Sequence, residues 1–100
     1  MKNSMKITLR VVHDGAERTL VAGPAAIVAF ERHWNLGIGS AMAEIRVEHL
    51  AWLAHRAAWQ EAQAGNGPAV KPFDAWLDQL ADIEAVGDED GDEVPLGGTP

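Results

Sequence analysis

The sequence predicts a small α+β fold that is mostly helical: an N-terminal β-hairpin, three helices and a disordered acidic C-terminal tail. Three observations predict it. Residues 6–12 alternate apolar and polar side chains and run into Asp14-Gly15; apolar residues then recur at spacings of three and four through three segments; and nine acidic residues, Asp74 to Glu93, follow Lys71 with no base among them. Residues 1–73 carry eight Lys/Arg and six Asp/Glu, so the formal charge of −7 belongs to the C-terminal quarter.

The hairpin comes first. Ile7, Leu9 and Val11 alternate with Thr8, Arg10 and Val12, and Asp14-Gly15 supplies the positive-φ pair of a type I′ turn. Pairing across that turn sets Val11 opposite Arg18, Leu9 opposite Leu20 and Ile7 opposite Ala22, which leaves one mainly apolar face in need of a cover. Helix one opens at Gly23-Pro24, presents Ile27, Phe30 and Trp34, and ends near Asn35 to Gly37. Ser40 then caps a long second helix from Ala41 to about Ala64, where Gly65-Asn66-Gly67-Pro68 stops it. Its broad apolar face is Ala43, Val47, Leu50, Leu53, Ala54 and Ala57. A narrow second stripe, Ile45, Trp52 and Trp59 at intervals of seven, lies on the other side and is either covered internally or open to a partner. Helix three starts at Lys71-Pro72, with Phe73, Trp76, Leu77, Leu80 and Ile83 on one face and Asp74, Asp78 and Asp82 on the other. It is either packed on its own domain or a segment that docks into a partner groove. Residues 5–86 therefore form one globular domain, and residues 87–100, without periodicity and poor in apolar surface, form the disordered tail.

Composition narrows the function classes. One hundred residues make one domain, and the absence of cysteine excludes a disulfide framework, a thiolate metal site and a Cys nucleophile. No apolar run reaches the length of a signal sequence or a membrane span, so a soluble protein of a reducing cytoplasm is expected. Net acidity opposes direct nucleic-acid binding, in which Lys and Arg neutralise phosphates. His49 and His55 are six apart and do not share a helix face, and His13 and His33 sit on other elements, so neither a metal site nor a cofactor site is expected. The run Asp88 to Asp92 lacks calcium-loop spacing, and Gly37 to Gly39 and Gly65 to Gly67 each lack the third glycine of a dinucleotide fingerprint. With no nucleophile-base pair either, no enzyme is expected.

The order of these segments carries a resemblance. A short hairpin, then Val28-Ala29-Phe30-Glu31-Arg32-His33-Trp34, then Leu50-Ala51-Trp52-Leu53-Ala54-His55-Arg56-Ala57-Ala58, then Phe73-Asp74-Ala75-Trp76-Leu77-Asp78 and an acidic tail, resembles the tail assembly chaperones of long-tailed bacteriophages over about residues 5 to 93. The resemblance implies a protein of the host cytoplasm that coats the apolar tape measure protein, keeps it soluble, leaves as tail tube subunits polymerise, and is absent from the virion. It also implies a longer product made by translational frameshifting, with which Leu96-Gly97-Gly98 is compatible. The helical faces, not the resemblance, nominate Ile45, Trp52, Trp59, Phe73 and Trp76 as partner-binding residues for the tape measure protein, the tail tube protein or a second copy of the chain. The rival reading is an acidic DNA mimic or inhibitor of a host protein, in which Asp74, Asp78, Asp82 and the tail imitate phosphates.

Overall fold

A computed structural model describes residues 5–86 of the chain. The expected disordered tail, 87–100, lies outside the described residues. The elements in chain order are β1 (Ile7–His13), β2 (Ala16–Ala22), α1 (Pro24–Trp34), α2 (Ile38–Ala43), α3 (Val47–Gln63), α4 (Phe73–Leu77) and β3 (Leu80–Val86). The strands form one antiparallel sheet in the order β2-β1-β3.

The hairpin follows its sequence signal. Asp14 and Gly15 take φ of 53° and 80°, and Val11 pairs with Arg18, Leu9 with Leu20 and Ile7 with Ala22. The same alternation puts Leu9, Val11, Leu20 and Ala22 into the core, beneath the helices. On the open face of the sheet Arg10 sits at the centre of three carboxylates, with Nε 2.8 Å from Glu84, Nη2 3.0 Å from Asp82 and Nη1 3.9 Å from Glu17. The hydrogen bond to Glu84, followed by that to Asp82, raises the guanidinium pKa further above its already high ordinary value. Arg10 is thus a fixed cation that ties both outer strands to β1.

The mostly helical fold with three helices is wrong in two places. First, the helix expected from Lys71 to Ile83 ends after Leu77, and Leu80–Val86 becomes the third strand. Leu80 and Ile83 are three apart, which imitates a helical repeat. A bulge resolves the parity: His13 pairs with Leu80 and Val11 with Ile83, so β3 fits one extra residue and turns both side chains toward the core. The gain is also in β1, because a strand holding fully buried Leu9 and Val11 needs backbone partners on both edges, and β3 provides the second set.

Second, the long helix expected from Ala41 to Ala64 is two helices separated at Glu44 to Arg46. Arg46, in an extended conformation, starts α3, and Ser40 lies inside α2 instead of capping it. The break lets α2 turn Ile38 and Ala41 into the core. Its first backbone N–H comes from Ile38, which donates to the Glu31 carboxylate of α1 at 2.8 Å, so the cap is a tertiary contact.

Helix α1 starts with Pro24 in its first turn and ends at Asn35 in the left-handed conformation, and it buries Ala26, Ile27 and Phe30. Helix α3 buries Leu50, Leu53, Ala54 and Ala57 as its broad face demands, and also His49, Ala51 and Ala58. Phe30, Leu9, Leu20, Leu53 and Val11 are the largest fully buried side chains. Each contributes about 1.5 to 3 kcal/mol by leaving water. Ala43 and Val47, also assigned to that face, are exposed because the break comes between them.

Candidate functional site

The five nominated residues divide by burial. Trp76 is 3% exposed and belongs to the core, Trp52 and Phe73 are half-buried, and Trp59 and Ile45 are 37% and 56% exposed. Ile45 is not on a helix at all but in the break before α3, so the stripe of three is reduced to Trp52 and Trp59. At 1.5 Å per residue these two stand about 10 Å apart on one side of α3. Trp52 stacks on His33 of α1 with ring centroids 4.7 Å apart and meets Phe30 edge-on, so its inner half is the joint between the two helices.

Trp59 has a different neighbour. The Arg56 guanidinium lies over its ring at 4.6 Å, the i, i+3 geometry of a helix surface. Arg56 forms no ion pair among the described residues, and its buried Nε lacks a hydrogen-bond partner. Trp52, Arg56 and Trp59 therefore make a continuous strip of two indoles and one unpaired cation along α3. Aromatic and arginine side chains are those enriched in the energetic centres of protein interfaces. Arg56 is not among the five nominated residues; its spacing of three from Trp59 is the sequence signal that joins it to the strip.

Two histidines hold α4. His13 Nε2 lies 2.8 Å from the Trp76 carbonyl, which can only accept, so that nitrogen carries the proton; the ring stacks on Trp76 at 4.4 Å. His55 Nε2 reaches the Lys71 carbonyl at 2.8 Å and meets Phe73 and Trp76 edge-on. The hairpin turn adds a third tie, with the Asp14 N–H donating to the Gln79 carbonyl and the Gln79 amide donating to the Asp14 carboxylate. Phe73 and Trp76 are thus clamped between the hairpin and α3. A cavity remains between the turn and the connector 68–71, edged by Arg18, whose Nη2 lies 2.6 Å from Glu61. Gly67 makes room for that pair, since a Cβ there would come within 2.8 Å of the Glu61 carboxylate.

Among the described residues no three metal-ligating side chains converge, and no helix is long and apolar enough to cross a membrane. The acidic row imagined on helix three is divided, with Asp82 on β3 bound to Arg10. No family model, curated protein or solved structure matches the chain.

Proposed function

We propose that this chain is a bacteriophage tail assembly chaperone that binds the tape measure protein in the host cytoplasm, keeps it soluble while the tail tube assembles, and does not enter the virion. The observation that carries the reading is the strip Trp52, Arg56 and Trp59, an aromatic surface left open on the longest helix of a small acidic protein. A long apolar helical client needs indole-sized contacts that compete with its own aggregation, and the complex needs net charge to stay dispersed. The segment order supports the same reading. Trp76 and Phe73, clamped by His13 and His55, support the domain; Trp59 contacts the client.

The test is co-expression with a phage tape measure protein that carries long apolar helical repeats. The wild-type chain is expected to raise the soluble fraction of that client and to co-purify with it. Trp59→Glu is expected to retain the parent's circular dichroism and to bind at least about thirtyfold more weakly, the loss of an interface hot spot. A client equally soluble without the chain would refute the reading, and unchanged capture by a folded Trp59→Glu would remove this strip from the contact surface.

A further inference from the structure

We infer that the strip on α3 receives an amphipathic helix carrying a carboxylate midway between two apolar residues seven positions apart, an inference that rests on the strip being the client contact of the proposed chaperone. The spacing decides the shape of the partner. Trp52 and Trp59 stand about 10 Å apart along the axis of α3, the rise of seven residues in a second helix. An extended segment advances about 3.3 Å per residue and returns to the same face every second residue, so its side chains fall about 6.6 or 13 Å apart and cannot meet both indoles squarely. A helix laid along α3 matches both. A side chain midway between its two apolar residues then comes opposite Arg56, which lies four residues after Trp52 and three before Trp59.

The charge at that point decides the partner's chemistry. The Arg56 guanidinium is placed by the Trp59 ring, 4.6 Å from its centroid, and takes part in none of the ion pairs among the described residues. No local carboxylate offsets it. Its neighbours three and four residues away on α3 are Trp52, Leu53, Trp59 and Gln60, and Glu61, the next acid along the helix, is held by Arg18 at 2.6 Å. Helix α1 adds none either. Trp34 packs on His49 and His33 on Trp52, so the two helices run antiparallel, and the part of α1 abreast of Arg56 and Trp59 is Pro24 to Ala29, which has no charged side chain. Arg56 is half-buried, and its enclosed Nε finds no acceptor within the domain. A carboxylate arriving between the indoles therefore meets a donor-only group with no competing acid.

Indole resonances of the full chain test the match, with two N-acetylated, amidated, alanine-rich peptides of about 20 residues as probes, long enough to hold a helix. Each carries two leucines seven residues apart. One has glutamate midway between them and the other has lysine there. On a chain of charge −7, long-range attraction alone favours the lysine peptide, so the strip predicts the order opposite to that of the global charge. The glutamate peptide is expected to bind at least about fivefold more tightly, with shifts at the Nε1–H resonances of Trp52 and Trp59. Arg56→Glu is expected to reverse the order, and the milder Arg56→Gln to abolish the preference for glutamate.

Equal or tighter binding of the lysine peptide by the parent would overturn the assignment, and that comparison needs no variant to fold. Shifts confined to the other indoles, or a glutamate preference that survives in a folded Arg56→Gln, would overturn it as well. Capture of the tape measure protein without the charge preference would refute this inference and leave the chaperone reading standing. The charge preference without any gain in tape measure solubility would refute the chaperone reading and leave the specificity of the strip.

Discussion

Trp76→Ala tests whether the short α4 is a structural part of the domain. The indole is almost fully buried, stacked on His13 and edge-on to His55. Burial of such a ring removes about 200 Å² from water, and at about 25 cal/mol per Å² this amounts to about 5 kcal/mol, part of which the remaining Cβ retains. Measured losses for aromatic-to-Ala changes in cores run at about 3 to 5 kcal/mol. Helix α4 has only five residues, and its flanks at Pro72 and Asp78 are exposed, so the walls can partly collapse. That places the expectation near the lower value, about 3 kcal/mol. A domain of this size has about 4 to 12 kcal/mol in all, so the change should be large in a urea titration followed by far-UV circular dichroism, with the slope unaltered. A loss below about 1 kcal/mol would show that α4 lies outside the cooperative unit and that its docking by His13 and His55 contributes little. A variant that unfolds like the parent but no longer captures a client would instead make this helix the docking segment.

Two other perturbations address the sheet. Ile83→Asp places a carboxylate on the core-facing side of β3 opposite Val11 and should cost about 1 to 3 kcal/mol in the same titration; no change would argue that Leu80–Val86 is not paired with β1. Arg10→Gln leaves Glu17, Asp82 and Glu84 facing one another, so it should destabilise the protein in low salt and much less in molar salt, because screening weakens repulsion between exposed carboxylates. A deficit independent of salt would mean that Arg10 acts through packing of its aliphatic stem.

Local signals made the first third of the fold legible. Asp14-Gly15 has a strong intrinsic turn preference, Pro24 a strong helix-start preference, and Asn35 readily takes the left-handed conformation that ends α1, so neighbours in sequence determine these elements. The missed features are governed by contacts between distant residues. Nothing at Glu44 to Arg46 breaks a helix by propensity; the break arises because Ile38 and Ala41 reach the core only if α2 turns, and because Glu31 caps it from another helix. Likewise, Leu80 and Ile83 have a spacing that suits a helix, and only the free edge of β1 together with a bulge makes it suit a strand.

The candidate site was legible in composition but not in grouping. Tryptophans every seven residues correctly marked one side of α3, yet the period alone could not tell that Ile45 would fall outside the helix or that His33 would cover half of Trp52. Burial separates the five residues into roles that hydrophobicity alone leaves equal: Trp76 is held by two histidines from elements 42 residues apart in sequence, and such a residue cannot leave to meet a partner without dissolving the clamp. Trp59 is not packed against the core, and its ring carries a cation from its own helix, so it can meet a partner with the fold intact. A contact surface is recognised by what its side chains do not hold together. By that criterion the strip ending at Trp59, where Arg56 has no ion-pair partner among the described residues, is the surface we propose for another molecule.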